Sequence, residues 1–402
     1  MKLRAVLILC NVALVANGQD FLDDLDQALT FSALNENFRA RLSGTLDLEY
    51  YNFSQPPPAL INSTRDNLFN PRLTLFLDAQ YREQFYFFAQ SRFDRGFDPS
   101  DEGAEVRLDE YALRVTPWPD GRLTLQAGKF ATVVGNFAAR HLSWDNPFVN
   151  APVVYENVTA IEDSTGEVTR DLHHALFDDK YEFIPVVWGP SYASGFSAAG
   201  RVAQFEYAAE IKNASLSSRP EEWDLTARGF ADPTFSGRVG FHPNEMWRFG
   251  LSASDGAYLR AEAERFLPRG RDIDDYREKV FAQDVSFAWR HLQLWAEFYE
   301  ARFEVPRLGD GDTFAWYVEA KYKFMPQLFA ALRWNQQFFG RFDETRFGAA
   351  PRLGDDVWRT DAALAYRFTA HTQLKVQYSF QKETSGARDD NHLFASQFTV
   401  RF

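Results

Sequence analysis

The stretch Thr313–Phe324, which reads TFAWYVEAKYKF, indicates the fold of this chain. Every second residue in it is apolar, and most of the residues between them are polar or charged. The apolar positions are Phe314, Trp316, Val318, Ala320, Tyr322 and Phe324. A β-strand points successive side chains to opposite faces, so this pattern predicts a strand with one apolar and one polar face.

The pattern repeats directly after a short break. Residues 328–334 again alternate, with Leu332 and Trp334 on the apolar face and Arg333 on the polar face, and only Met325, Pro326 and Gln327 separate the two segments. Similar breaks join other alternating segments at 82–83, 119–121, 203–204, 243–245, 290–291 and 370–371. Alternating runs joined by two or three residues are typical of antiparallel hairpins.

Longer polar connections separate these hairpins. They cover residues 55–70, 94–104, 214–233, 255–278, 303–312 and 341–355. Counting with this alternation predicts about sixteen strands, at 37–53, 71–81, 84–94, 106–117, 122–131, 193–202, 205–213, 234–242, 246–255, 279–289, 292–301, 313–324, 328–338, 356–368, 373–382 and 392–402. Strands of ~9–11 residues span a bilayer, and short turns at one rim with long loops at the other are typical of membrane barrels. We therefore predict an all-β fold, a transmembrane antiparallel up-and-down β-barrel.

The polar face of each strand would then line the lumen, which in a barrel of this size is an aqueous channel. Its basic residues outnumber its acidic ones, although the whole chain has a formal charge of −13. The main candidates for lumen charges are Arg39, Arg41, Arg72, Arg92, Arg114, Lys321, Arg333 and Arg359. Such a wall favours anions. Mutual pairing of these arginines with acids is the alternative, and the sequence leaves both interpretations open.

One connection, 131–192, is far longer than the others. A segment of this length without low-complexity character is usually functional. Its aromatic residues, prolines and mixed charges predict a segment folded into the lumen, where it would narrow the channel. The candidate constriction residues are Arg140, His141 and Asp145, with Trp144 and Phe148 as anchors. A lid packed over the barrel mouth is the alternative.

The N-terminus has the pattern of a secretory signal peptide. In residues 1–18, Lys2 and Arg4 precede an apolar stretch, and Ala16-Asn17-Gly18 forms a small-residue cleavage site. We expect cleavage before Gln19, a periplasmic lead-in at 19–36 and a single barrel at 37–402. Cys10 is the only cysteine, so the mature chain can form no disulfide and attach no haem through cysteines.

Other functional classes find little support in the sequence. No tract of 18 apolar residues follows the N-terminus, which excludes helical membrane spans, and the acidic balance argues against nucleic-acid binding. His173 and His174 near Asp178 and Asp179 lack the spacing of a known metal site, so we predict neither metal nor other cofactor. GxSxG, HExxH and P-loop motifs are absent, and we predict no enzyme.

The C-terminus carries a family resemblance. The chain ends QFTVRF, with Phe398, Val400 and the terminal Phe402 on one face. This ending resembles the terminal motif of Gram-negative outer-membrane proteins, which their barrel-assembly machinery recognises. Together with the signal peptide and the strand count, it makes the mature chain similar to a porin. The resemblance implies a homotrimer in the outer membrane whose third outer loop, here 131–192, enters the lumen.

We therefore expect a passive outer-membrane channel for small hydrophilic solutes or ions that leans toward anions and is surrounded by outer-membrane lipid. Two alternatives stay open. The barrel could sheathe or dock another envelope protein, such as a multihaem cytochrome, or it could be a barrel enzyme with a catalytic cluster that the sequence does not reveal.

Overall fold

The structure is a computed structural model that describes residues 20–34, 37–97, 99–100, 103–169, 172, 180–342, 351–383 and 390–402. The predicted signal peptide, 1–18, lies outside these residues, as do His173, His174, Asp178 and Asp179. Among the described residues, no helix is long and apolar enough to cross a membrane.

Strands dominate the described part of the chain. In chain order they are β1 (Thr30–Ala33), β2 (Phe38–Phe53), β3 (Asn67–Tyr81), β4 (Phe85–Asp94), β5 (Glu105–Val115), β6 (Thr124–Lys129), β7 (Val158–Glu162), β8 (Glu167–Val168), β9 (Phe183–Pro185), β10 (Ser194–Val202), β11 (Phe205–Lys212), β12 (Thr234–Phe241), β13 (Trp247–Ala257), β14 (Arg277–Trp289), β15 (Leu292–Val305), β16 (Gly309–Lys323), β17 (Leu328–Phe339), β18 (Val357–Arg367), β19 (Thr372–Glu383) and β20 (Asp390–Arg401).

Sixteen of these strands, β2–β6 and β10–β20, form a closed antiparallel barrel. Each pairs with its neighbours in sequence, β6 pairs with β10 across the long connection, and β20 pairs with β2 to close the ring. The predicted barrel and its sixteen strands are confirmed. The uncertain division of residues 193–213 also holds, because β10 and β11 are joined by Ala203 and Gln204, with Ala203 in the left-handed region at φ 53°.

The two faces of the strands differ as the alternation predicts. Outward Leu332 is 65% exposed, whereas its inward neighbours Arg333 and Asn335 are buried inside the barrel. Closure of the sheet satisfies the backbone groups along its seams, as the apolar core of a membrane requires.

One predicted loop is wrong. Residues 303–312 form no long connection, because β15 continues to Val305 and β16 begins at Gly309. The apolar alternation stops earlier, but the strands extend beyond it with charged outward side chains. Arg302 Nε donates to Asp312 Oδ1 across the two strands at 2.7 Å. A criterion based on apolar residues therefore ends these strands too soon.

The segment before the barrel is ordered against the short-turn rim. Residues 20–28 are helical, and β1 then pairs with the start of β2. Asp26 accepts a hydrogen bond from Arg41 at 2.7 Å, and Asp23 lies 2.8 Å from Nε2 of His371. The lead-in thus contacts both β2 and the turn between β18 and β19.

The C-terminal residue takes part in closing the barrel. The backbone N–H of Phe402 donates to the carbonyl of Gly44 at 3.0 Å, and the N–H of Gly44 donates back at 2.9 Å. A Cβ at Gly44 would lie 2.7 Å from the ring of Phe402 and 2.9 Å from the backbone carbonyl oxygen of Thr74, so a larger residue here would force its neighbours to shift. Phe398 and Val400 lie on β20, the strand that pairs with both β19 and β2.

Candidate functional site

The described part of the long connection, residues 131–169, 172 and 180–192, packs against the inside of the barrel. Its backbone N–H groups and side chains bond to inward residues in the middle of distant strands. Val153 N–H donates to Asn335 Oδ1 at 3.2 Å, and Val149 N–H donates to Gln377 Oε1 at 2.6 Å. The connection therefore packs against the inner wall formed by β15–β19.

The first anchor on this wall is a carboxylate. Glu297 on β15 is fully buried and accepts a hydrogen bond from the backbone N–H of Phe137 at 3.0 Å and from the hydroxyl of Tyr155 at 2.8 Å. The N–H of Asn136 donates to the same carboxylate. One side chain thus fixes two separate parts of the connection.

The second anchor is an ammonium group. Lys375 on β19 is buried, and its Nζ donates to the backbone carbonyls of Ser143, Asn146 and Phe148 at 2.7, 3.0 and 3.0 Å. Three donors meet three acceptors, so the charge is fully hydrogen-bonded. This contact holds the turn after Ser143 against the wall.

The third anchor combines two predicted lumen charges. Arg333 Nε donates to Asp361 at 2.8 Å, and Arg359 lies 3.1 Å from the same carboxylate. Arg359 also donates to Glu156 at 2.5 Å, and Arg333 donates to Asn150 at 2.5 Å, both in the connection. These arginines do not face a solute path, because pairing with acids and with the connection buries them.

Arg140, the first predicted constriction residue, is held against the same wall. It donates to Glu319 at 2.7 Å and to the hydroxyl of Tyr317 at 3.0 Å, and its guanidinium lies 4.6 Å from the ring centre of Trp295. Its side chain is only 11% exposed. A carboxylate at this position would face Glu319, so Arg140 is a poor choice for a charge-reversal test.

His141 points to the opposite side of the connection from Arg140. Its Nδ1 lies 2.6 Å from the carbonyl of Ala138, and its Nε2 lies 2.6 Å from the hydroxyl of Tyr192. A carbonyl only accepts, so Nδ1 carries the proton and Nε2 accepts from Tyr192 in the neutral ring. Burial, followed by the nearby charge of Arg92, lowers the pKa of His141 to about 4.

Of the remaining predicted residues, Trp144 and Asp145 line a cavity and Phe148 is packed in the interior. The indole of Trp144 lies under two guanidinium groups, 4.1 Å from that of Arg401 and 4.8 Å from that of Arg367. Asp145 and Trp144 line one large cavity inside the barrel. Phe148 is fully buried. The guanidinium carbon of Arg333 lies 4.2 Å from the centre of its ring.

Most of the other predicted lumen charges have partners. Arg72 pairs with Asp47 and Glu49, Arg92 with Asp109, Arg41 with Asp26, and Arg114 donates to Gln126. Arg39 is exposed near the short-turn rim. Lys321 lies 4.3 Å from the ring centre of Phe329 and forms no ion pair with any described residue. Within this set, the pairing alternative describes the wall better than a row of free charges does.

A large cavity, here called the vestibule, separates the connection from the short-turn rim. Its volume is 1230 Å³, and nine basic and four acidic residues line it. The basic residues are Arg114, Arg140, Arg201, Arg238, Arg248, Lys321, Lys323, Arg367 and Arg401. Two of the acids, Glu206 and Asp284, pair with Arg238. The potential in this cavity therefore leans positive.

A smaller cavity of 170 Å³, here called the outer cavity, lies on the other side of the connection. Residues of the run 137–146 alternate between the two. Ala139, Arg140, Trp144 and Asp145 line the vestibule, and Phe137, His141, Ser143 and Asn146 line the outer cavity. This run therefore separates the two cavities.

The sequence prediction of site residues, which was based on charge, did not include the neutral polar residues that hold the connection. The connection is held in place by hydrogen bonds from or to five neutral side chains, those of Tyr155, Tyr192, Tyr317, Asn335 and Gln377. The sequence did contain a signal for the residues on strands, because their amide and phenol side chains lie on the predicted inward faces. Within the part of the chain that the structure describes, no three His, Cys, Asp or Glu residues are grouped as metal ligands.

The sequence matches no protein-family model and no curated protein. Comparison with solved structures does find similar barrels. OmpF of Salmonella typhi, in complex with daunomycin, aligns with a TM-score of 0.57 and 12% identity over 92% of this chain and 100% of that one. The outer-membrane channel DcaP of Acinetobacter baumannii gives 0.57 and 11% over 92% and 99%. An anion-selective porin from Comamonas acidovorans gives 0.55 and 9% over 91% and 100%.

These alignments cover nearly the whole of each chain, and they include the closed sixteen-stranded barrel. At such low sequence identity, these similarities show the fold and do not indicate the solute. The chain has the fold of the outer-membrane porins.

Proposed function

We propose that this chain is a passive diffusion channel in the outer membrane of a Gram-negative bacterium, for small hydrophilic solutes or ions. The porin fold, the apolar outward face and the polar interior support this function. We also propose that it assembles as a homotrimer, as one OmpT structure of Vibrio cholerae does in its trimer form. Phe398, Val400 and Phe402 would serve as the signal that the barrel-assembly machinery reads.

The ionic preference that we propose is for anions. The vestibule carries the argument, since basic residues there exceed acidic ones by nine to four. Lys321, Lys323 and Arg248 line the vestibule and form no ion pair with described residues, so no carboxylate at ion-pair distance neutralises their charges. Lys321 is 6% exposed. Charges inside a narrow space with low-dielectric walls act on ions more strongly than charges on an open surface do.

The constriction that we propose is the run 137–148. It separates the vestibule from the outer cavity and is held from the wall by Glu297 and Lys375. Trp144 and Asp145 would meet the solute, whereas Arg140, His141 and Phe148 would keep the run in place. Shortening this run should therefore widen the path.

Reversal potentials in a salt gradient across a planar bilayer test the anion preference. Replacing Lys321 and Lys323 together with Glu should lower the anion-to-cation permeability ratio several-fold, because unit charges ~4 Å apart interact by ~4 kcal/mol at an effective dielectric of ~20. Arg269→Glu, at an exposed position in an outer loop, is the matched control and should leave the ratio unchanged. Equal shifts in both proteins would remove the vestibule from the selectivity argument.

The two alternative functions, a docking barrel for another envelope protein and a barrel enzyme, are not supported by a specific observation. The described part of 131–192 packs its side chains against the inner wall and so narrows the space that a docked electron carrier would need. We propose no catalytic role for any residue.

A further inference from the structure

The outer cavity differs in chemistry from the vestibule. Strands β2, β3 and β20 form one side of it through Glu49, Asn70, Arg72 and Gln397, and the run 137–151 forms another. Aromatic rings contribute apolar surface. They belong to Phe137, Phe148, Tyr155 and Trp188. At ~30 Å³ for each water, 170 Å³ is room for about five or six water molecules or one small solute.

The charges of this cavity are already neutralised. Glu49 is fully buried and accepts hydrogen bonds from the hydroxyl of Tyr51 at 2.9 Å, from Asn70 Nδ2 at 3.0 Å and from Gln397 Nε2 at 2.5 Å. Arg72 pairs with the same carboxylate. A cation would find Glu49 occupied, and an anion would find Arg72 occupied.

Five side chains of the lining keep an unused polar atom, namely Asn70, Arg92, Asn150, Trp188 and Gln397. In Trp188 this atom is the indole N–H, and in Arg92 it is Nε, whose charge is paired with the carboxylate of Asp109 at 3.1 Å. Asn70 and Gln397 both turn their amino groups to Glu49, and their carbonyl oxygens accept no hydrogen bond from a described residue. Asn150 accepts through its oxygen from Arg333 and Gln377, whereas its amino group donates to no described residue. The exposed fraction is 2% for Asn70, 1% for Gln397 and 8% for Asn150. Buried polar groups of native proteins are nearly always hydrogen-bonded, so each unused atom calls for a partner.

The unused atoms define the chemistry of that partner. Two are acceptors, on Asn70 and Gln397, and two are neutral donors, on Asn150 and Trp188. The fifth, Arg92 Nε, belongs to a guanidinium whose charge Asp109 already neutralises. A hydroxyl group both donates and accepts, so a molecule with several hydroxyls can serve all three amides. The flat, apolar C–H surface of a sugar ring would also fit against the aromatic rings. An ion would leave some of these groups unsatisfied and would lose its hydration for no opposite charge.

We propose that the outer cavity is a binding subsite for a neutral sugar of one ring, held by Asn70, Asn150 and Gln397 between aromatic side chains. The subsite rests on the proposed channel function, because it lies beside the run that we assign as the constriction. It would give the channel a saturable step for a neutral solute in addition to the electrostatic preference of the vestibule.

Isothermal titration calorimetry on the full chain in detergent tests the subsite directly. The probes are glucose as the ring sugar, mannitol as an open-chain polyol and succinate as an anion. Glucose should bind saturably, and both other probes at least about tenfold more weakly. Ser143→Leu fills the cavity while the backbone contact of residue 143 with Lys375 stays, and it should abolish the heat. Ala139→Leu, in the same run but facing the vestibule, should keep glucose binding.

Conductance measured on the same samples separates the two proposals. Ion conductance without glucose binding would overturn the subsite and leave the channel standing. Glucose binding without ion conductance would overturn the channel function instead. A crystal structure grown with glucose that holds only water in the outer cavity would also overturn the subsite, as would equal affinity for glucose and succinate.

Discussion

Two parts of the inner wall show the same alternation of apolar and polar residues but differ in what covers them. On β15–β19 many inward side chains are long and polar, and they bind the described part of the connection 131–192. On β10–β13 many inward residues are small, among them Ser197, Ala199 and Ala208, and there the vestibule is open. The size of the inward residues and their capacity for hydrogen bonds therefore decide which part of the lumen is filled.

Glycine contributes to this difference on the open wall. A Cβ at Gly250 would lie 2.2 Å from Asp284 Oδ2 and 2.3 Å from a guanidinium nitrogen of Arg238. The ion pair between Arg238 and Asp284 thus lies flat over the backbone of β13. The pair also contacts the start of the connection, because Arg238 donates to the carbonyl of Gly135 at 3.0 Å and Asp284 accepts from Asn136 Nδ2 at 3.3 Å. On β15–β19, by contrast, charged residues hold the longer stretch from 137 to 156.

The largest expected effect is on the covered wall. Asp361→Leu removes the carboxylate shared by Arg333 and Arg359 and leaves both guanidinium groups short of a counter-charge in a buried place. Loss of one partner of a buried ion pair costs about 3–5 kcal/mol. The free energy of unfolding, measured in urea with the protein in detergent, should fall by that amount.

Ser197→Leu on the open wall is the comparison for this variant. Its side chain would project into the vestibule and should change the free energy of unfolding by less than about 1 kcal/mol. If both substitutions destabilised the barrel equally, the proposed division between a covered and an open wall would have to be abandoned.

A smaller effect is expected from pH at the side of the connection that faces the outer cavity. The pKa of His141 is lowered from 6.5 to about 4 in the folded protein, so the unfolded chain takes up the proton first as pH falls. The contribution of His141 is complete above about pH 6.5 and is lost as pH falls toward 4. The loss should be on the order of 2 kcal/mol.

Protease protection of residues 131–169, followed between pH 7.5 and 4.5, measures this loss. His141→Gln cannot take up the proton and should flatten the pH dependence, whereas His291→Gln, at an exposed turn, should not. An unchanged pH profile in His141→Gln would show that another group controls docking.

The smallest effect on stability is expected from a substitution that only reduces the volume of the vestibule. Ala208→Phe narrows the vestibule from the open wall and should lower single-channel conductance, with a stability change of less than about 1 kcal/mol. Ala209→Phe, the next residue and on the lipid-facing side of β11, should alter neither quantity. A fall in conductance with Ala209→Phe would contradict the assignment of the two faces.

The strands were predictable because their signal is local. Alternation and turn residues fix each hairpin, and with it the register that places Arg333 opposite Asp361 and Glu319 opposite Arg333. Pairing of these charges could thus have been read from the sequence once the hairpins were known. The failure at 303–312 has a local cause as well, since charged residues continue strands that apolar residues no longer mark.

The position of the connection was not predictable in the same way. Ser143 meets Lys375 across 232 residues of sequence, and Phe137 meets Glu297 across 160. No periodicity reports on such contacts. The same limit applies to the outer cavity, where amides from β3, β20 and the connection come together only in the closed barrel.

The anchors of the connection have a consequence for the order of assembly. Glu297, Arg333 and Lys375 all belong to strands that follow the connection in the chain, and contacts of such long sequence separation form slowly. A nascent barrel that ends before β15 offers the connection none of these partners. Docking at these anchors must therefore await β15–β19, so complete filling of the interior and closure of β20 onto β2 become parts of one late event.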